Sequence, residues 1–165
     1  MIDIRIYQRG DHTSVAEIFT RAIHEIACVK YTAAQCHAWS DPEPNPAYWQ
    51  KRCELKRPFI AAIEGQIAGF LELDPDGHID CAYAHPEFVR RGVMTALVRH
   101  AVQTCRDMNR RRVYVEASLC IKPLMDKLGF TVIRENMVHM NGQELINYHM
   151  ELPLTSPAPQ APYIA

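Results

Sequence analysis

Hydrophobic and polar residues alternate from the first positions of the chain. Ile2, Ile4 and Ile6 interleave with Asp3, Arg5 and Tyr7, which predicts a half-buried strand. The period then lengthens. Val15, Ile18, Phe19, Ala22, Ile23 and Ile26 recur at three- and four-residue spacing, one face of a helix. Ser14-Val-Ala-Glu17 reads as its capping box, with Asp11 and Thr13 as competing caps. A shorter helix is predicted around Thr32–Trp39. The three prolines of Asp41-Pro-Glu-Pro-Asn-Pro then forbid regular structure, and Tyr48 to Lys56 predicts one or two helical turns.

From Phe59 the period becomes two. Phe59–Ile63, a Glu64-Gly65 turn and Ile67–Leu73 predict a hairpin, and the Asp74-Pro-Asp-Gly77 turn leads into a strand at Ile79–Ala84. A long helix is predicted from near Gly92 to Met108, with Val93, Leu97, Ala101 and Cys105 on one face. Val113–Ala117 is strand-like. Residues 121–128 predict a short helix closed by Gly129. Thr131–Arg134 is strand-like, and Val138–Met140, Asn141-Gly142 and Leu145–Leu152 predict a second hairpin on the favoured two-residue turn. The strand before the long helix, the helix and the strand after it make one βαβ unit, which requires a parallel pair. The fold class is mixed α/β in one domain, residues 1–152, followed by a proline-rich tail, residues 153–165.

Composition narrows the function. The chain has 165 residues, 48% hydrophobic and 22% charged, with a net charge of −1. Those proportions belong to an ordinary packed globule. The balanced charge points away from nucleic acid and from anionic lipid as partners. No run of about 18 apolar residues predicts a membrane span, and the N-terminus lacks the form of a signal peptide, so a cytoplasmic location is expected. Six cysteines without C-x-x-C spacing read as reduced, mostly buried thiols. Neither Cys36-His37 nor Cys81…His85 has the spacing of a zinc motif, so no metal is expected.

The chemistry concentrates in His85-Pro-Glu-Phe-Val-Arg90-Arg91-Gly92-Val93-Met94-Thr95, between a strand and a long amphipathic helix. Such a turn presents unpaired amides and the positive end of a helix dipole, an anion site that suits phosphate. Glycine lets the backbone come close, and arginine matches phosphate in a fork.

The segment resembles motif A of the GNAT N-acetyltransferase superfamily, Q/R-x-x-G-x-G/A after a strand ending near His-Pro. The resemblance extends over nearly the whole chain. It includes Ile67–Leu73 upstream and Leu128-Gly129-Phe130 downstream. Glu116-Ala-Ser118, Lys122-Pro123, Asn147-Tyr148, Met150-Glu151 and Tyr31…Gln35…Ala38-Trp39 are similar to the bacterial YafP-type branch. Val89 stands where the motif prefers Gln or Arg, and Met94 where it prefers Gly or Ala. The resemblance implies a mostly antiparallel central sheet with a splayed parallel strand pair, flanked by helices. It implies acetyl-coenzyme A as the acetyl donor. The pyrophosphate would rest on the amides of Arg90, Arg91, Gly92, Val93, Met94 and Thr95. The pantetheine arm would run beside the backbone of Ala82 and Ala84. Ser118 occupies the position of an asparagine that bonds that arm in many members. Tyr31 and Trp39 fall among the substrate-side helices, with Tyr48 and Trp49 nearby.

Acetyl transfer to an amine needs a base and an oxyanion donor. His78 stands where some relatives carry a glutamate, Asp80 lies one pleat along, Glu116 is on the partner strand and Glu72 on the preceding one. Asp80 and Glu116 lie in otherwise apolar strands, where burial is expected to raise a carboxylate pKa. Met125 stands where many members carry a tyrosine that protonates the leaving thiolate, so water, Ser118, Cys120 or Tyr83 is left for that role. The expected function is an N-acetyltransferase acting on a primary amine of a small molecule, aromatic or apolar, by direct attack. The alternatives are a non-catalytic acyl-coenzyme A sensor and a zinc-dependent hydrolase. The terminal hairpin and uncharged tail also suit a homodimer.

Overall fold

The structure, a computed structural model, describes residues 1–154; the expected tail falls outside them except for Pro153 and Leu154. Its elements in chain order are β1 (Ile2–Ile6), α1 (His12–Arg21), α2 (Ala33–Trp39), α3 (Pro46–Lys56), β2 (Phe59–Ile63), β3 (Gln66–Leu73), β4 (His78–Ala84), α4 (Val93–Asp107), β5 (Arg112–Ser118), α5 (Lys122–Lys127), β6 (Thr131–Met140) and β7 (Gln143–Pro153). The seven strands form one sheet in the order β1-β2-β3-β4-β5-β7-β6. Every neighbouring pair is antiparallel except β4 and β5, which α4 connects.

The period of two sorts side chains onto the two faces. Ala61, Leu71, Ile79, Val113 and Val115 face Val93, Leu97, Ala101 and Cys105 of α4 in the larger core. Ile60 and Phe70 face the other way, onto Val15 and Ile18 of α1 and Trp49 and Cys53 of α3. The α4 face is interrupted once by need of space. A Cβ at Gly69 on β3 would lie 2.7 Å from Val93 Cγ1 and 2.9 Å from the Tyr83 carbonyl oxygen, so α4 seats directly on backbone there.

Three local expectations change. Neither Ser14 nor Asp11 caps α1, because the Asp11 carboxylate is taken by Arg5 of β1, at 2.6 and 3.0 Å, and by the Gln8 N–H. The helix starts at His12 and continues beyond Arg21 as a wide π turn over Ala22–Ile26. The capping box forms instead at α2, where Thr32 and Gln35 exchange side-chain and backbone bonds. Third, residues 131–140 are one bulged edge strand, not two pieces. Glu135, Asn136 and Met137 look like a loop because they are polar or exposed, yet they pair with Tyr148, Asn147 and Ile146.

All six cysteines are free thiols, and Cys36, Cys53 and Cys105 are buried. Among the described residues no helix is long and apolar enough to cross a membrane, and no three His, Cys, Asp or Glu side chains are grouped to hold a metal ion.

Candidate active site

The turn entering α4 is built from two left-handed residues. Val89 (φ −60°, ψ 148°) and Arg90 (φ 63°) form a type II turn closed by the Arg91 N–H and the Phe88 carbonyl, 3.4 Å apart. An arginine occupies the position that normally takes glycine, a strained conformation of the kind found at functional sites. Gly92 (φ 83°, ψ 6°) then starts the helix and offers no side chain to cap it. The first helical bond runs from Ala96 N–H to the Gly92 carbonyl, so the amides of Arg90, Gly92, Val93, Met94 and Thr95 find no acceptor among the described residues. Arg91 lies over the Phe88 ring at 5.1 Å, and its head, like that of Arg90, stays in solvent.

Beside this turn the sheet opens. β4 and β5 pair only at His78↔Tyr114 and Ile79↔Val115, although both strands continue. The His85 N–H bonds the Ala68 carbonyl of β3 at 2.9 Å. By alternation Tyr83 also points its backbone groups toward β3, and Ala82 and Ala84 point theirs toward the opened side. A cavity of about 170 Å³ occupies the gap, between Ala82 and Ala84 on one wall, Ser118 and Leu124 on the other, and Val89 and Met94 at the turn. Met94 also packs on the α4 core, so its side chain leaves the turn while its amide stays there.

A second cavity, about 480 Å³, lies on the α1–α3 side of β4. Trp39, Tyr48, Trp49 and Tyr83 supply its aromatic walls, and Asp41, Glu43, Asp80 and Arg52 its charges. Trp39 and Tyr83 line both cavities. Between the two is a smaller space of about 50 Å³ that shares Asp80 with one and Ala82 and Ser118 with the other, and adds Glu116. Two routes into the sheet thus meet at one junction. The Trp39 and Tyr83 rings pack edge to face with centroids 6.4 Å apart. Burial pushes the phenol pKa well above its ordinary value, so Tyr83 keeps its proton.

The charges around the junction are paired. Arg52 Nε and Nη2 hold both oxygens of the fully buried Glu72, at 2.9 and 2.5 Å, and Nη2 also reaches Asp80 at 3.0 Å. Lys56 Nζ bridges Asp74 and Asp80, both at 2.7 Å. Burial would raise the Asp80 pKa, but the Lys56 hydrogen bond and the charges of Arg52 and Lys56 outweigh it and hold the carboxyl below its usual range. Glu116 is also lowered: burial is overcome by His78, whose Nε2 lies 2.5 Å from it, and by His149. The expectation that burial raises these two carboxylates is therefore overturned. The α3 cations Arg52 and Lys56 at Asp80, and His78 of β4 at Glu116, win over desolvation. His78 moves the opposite way. Desolvation would lower it, but Glu116 on one ring nitrogen and Asp74 on the other, at 3.2 Å, raise it.

The structure brings together Asp80, Glu116, Ser118, Ala82 and Trp39 at the junction, with Ala84 and the 90–95 turn along the groove. Val93 anchors that turn by burying its side chain in the core. His78 stands behind Glu116 at the closed base of the splay and lines none of the three cavities. Tyr31 lines none either. Its hydroxyl accepts the Leu119 N–H and donates to the Ile146 carbonyl, and its ring lies 5.3 Å from Trp39, which it holds in place. Tyr31, expected on the substrate side, stands one layer behind Trp39. Met125 is fully buried in the α4 core, which an apolar side chain suits. Arg52, Lys56, Asp41 and Glu43 were not anticipated. The signal for the first two was present: Tyr48, Arg52 and Lys56 recur every four residues along one face of α3.

A sheet opened between its parallel strands, over a helix N-terminus and beside a second cavity, is the architecture of an acyltransferase class of α/β fold. Within it the chain belongs to the GNAT acetyltransferases, since residues 28–152 match the Acetyltransferase (GNAT) domain. It is 29% identical over 149 residues to the uncharacterized N-acetyltransferase YafP of Escherichia coli (strain K12), covering 90% of this chain and 94% of that one. A GCN5-related N-acetyltransferase from Rhodopseudomonas palustris, described also as an aminotransferase of class II, superposes with a TM-score of 0.86. It is 29% identical, over 92% of this chain and 95% of that one. The fold is also that of YncA from Salmonella typhimurium, a putative acetyltransferase solved with its cofactor acetyl-CoA (TM-score 0.68, 18% identity, 100% and 99% covered).

Proposed function

We propose that this acetyltransferase moves the acetyl group of acetyl-coenzyme A to the primary amine of a small molecule by direct attack. The observation that carries the reading is the junction. The groove along the splay and the aromatic cavity on the other side of β4 meet at Trp39, Tyr83 and Asp80. The groove's residues fit the donor: free amides at 90 and 92–95 suit a pyrophosphate, Arg90 and Arg91 add charge, and the outward backbone groups of Ala82 and Ala84 suit an extended amide-bearing arm. The Ser118 hydroxyl, which accepts the Ile121 N–H at 3.4 Å, still has a proton to donate to that arm. Acetyl-coenzyme A supplies a thioester, an acetyl group already activated for attack.

The remaining work falls to side chains at the junction. Asp80 is ionised through the neutral range, so it attracts the ammonium form of an acceptor and passes its proton to water. A depressed carboxylate is a weak base, so the rate is expected to climb with pH as the amine deprotonates. Glu116, backed by His78, offers a second carboxylate on the opposite strand. The Ala82 amide suits an oxyanion donor. Tyr83, protonated and at the junction, replaces the apolar Met125 as the proton source for the departing sulfur.

The test is a mass-spectrometric screen of amines for N-acetylated product, with coenzyme A release followed in parallel. The expected result is product with at least one amine and a loss of about 10²-fold or more in turnover for Asp80→Asn, with unchanged coenzyme A affinity. A protein that binds coenzyme A yet acetylates no amine would be the sensor instead.

A further inference from the structure

The acceptor cavity carries three carboxylates, Asp41, Glu43 and Asp80, against one guanidinium, Arg52. That guanidinium is already committed. It holds both oxygens of buried Glu72, touches Asp80, and donates to the Tyr48 hydroxyl at 3.2 Å. Lys56, behind the wall, is divided between Asp74 and Asp80. No cation lining the cavity is left, among the described residues, to meet an incoming carboxylate. The opposite holds for an incoming cation. Asp41 and Glu43 sit exposed on the loop at the cavity, and neither forms an ion pair among the described residues. Trp39, Tyr48 and Trp49 line the same cavity, with Tyr48 and Trp49 packed edge to face at 5.7 Å. Aromatic faces attract cations and accept flat apolar bodies, and they offer nothing to an anion.

We infer that this cavity selects its occupant by charge: a flat or apolar amine that is positive overall and carries no carboxylate. The inference rests on the transferase reading only in saying that the occupant is then acetylated. Simple arylalkyl amines and diamines fit it, and free amino acids do not. Asp41 and Glu43 set the selection at the entrance, and Asp80 continues it at the junction.

The test compares tryptamine with tryptophan, which share an indole and a primary amine and differ in the carboxylate. Binding to the protein is measured by calorimetry with coenzyme A present, so no turnover is needed. Tryptamine is expected to bind at least ~10-fold more tightly, since a carboxylate would face uncompensated like charges. Raising the salt to ~1 M should narrow that gap, because the rim charges are exposed to screening. The double variant Asp41→Asn/Glu43→Gln should lose about 3-fold or more of the discrimination while melting like the parent, since both positions are exposed. Equal binding of the two amines, binding of neither, or a gap indifferent to salt and to the double variant would overturn the inference. Selective binding of tryptamine with no acetylation of any amine would instead sink the transferase reading and leave charge selection standing.

Discussion

Replacing Arg52 with methionine removes the cation that both the fold and the site share. The side chain spans from the fully buried Glu72 to Asp80 at the junction. Methionine keeps most of the volume, so the loss is electrostatic. Glu72 is left as a carboxylate with no exposure to water and without its bidentate partner. Breaking one side of a buried pair in this way costs about 3–5 kcal/mol. At roughly 2–4 °C per kcal/mol for a chain of this size, the melting temperature should fall by about 6–20 °C. The assay is urea denaturation read as a shift in midpoint at constant slope, with thermal melting alongside. The double variant Arg52→Met/Glu72→Met is the control, because an apolar pair of similar volume often replaces a buried ion pair at little cost. It should recover most of the lost stability but not turnover, since Asp80 would still lack one of its two cations. A single variant that loses under about 1 kcal/mol would mean that the pair behaves like an exposed one. A double variant no more stable than the single would refute the reasoning in the same way.

Three further predictions follow from the geometry. Gly69→Ala places a methyl 2.7 Å from Val93 and 2.9 Å from the Tyr83 carbonyl. It should cost about 1–3 kcal/mol and weaken coenzyme A binding, because Val93 opens the helix behind the turn; calorimetry and melting together check both. His78 has a raised pKa in the fold, so its ion pairs with Glu116 and Asp74 stabilise fully below the unfolded value of about 6.5 and are lost as pH rises through the folded value. The melting temperature should therefore decline across that window, and His78→Gln should remove this part of the pH dependence. Arg91→Glu should weaken coenzyme A binding by about 10-fold or more, by deleting a cation and adding an anion at an exposed turn; unchanged affinity would place the phosphates elsewhere.

The pattern of the chain carried most of the fold. The isoleucine alternation of β1, the hairpin at 59–73, the Asn141-Gly142 turn and the amphipathic α4 are local signals, and each appears where its period placed it. The turn entering α4 was legible for the same reason, since a strand, a glycine turn and a helix are consecutive in sequence, whereas the opened sheet beside it followed from the family resemblance. The charge state of Asp80 was not legible. It depends on Arg52 and Lys56, 28 and 24 positions earlier, which reach it only because α3 packs across the sheet. Burial in an apolar strand suggested a raised pKa, and tertiary cations reversed the sign. Tyr31 shows a different limit: the resemblance places it among the substrate-side helices, but nothing local shows that two backbone groups 88 and 115 residues away bind its hydroxyl and hold it behind Trp39. The capping of α1 was misplaced because Arg5 competes for the Asp11 carboxylate from a neighbouring strand.

The central claim is that the opened edge of β4 and the turn entering α4 together receive the donor. Amide hydrogen exchange of the protein with and without coenzyme A tests it most directly. The account predicts slowed exchange at Ala82 and Ala84 and at residues 90–95, with the paired amides of β2 and β7 unchanged. Binding with no added protection in those two segments, or protection confined to the aromatic cavity, would contradict it.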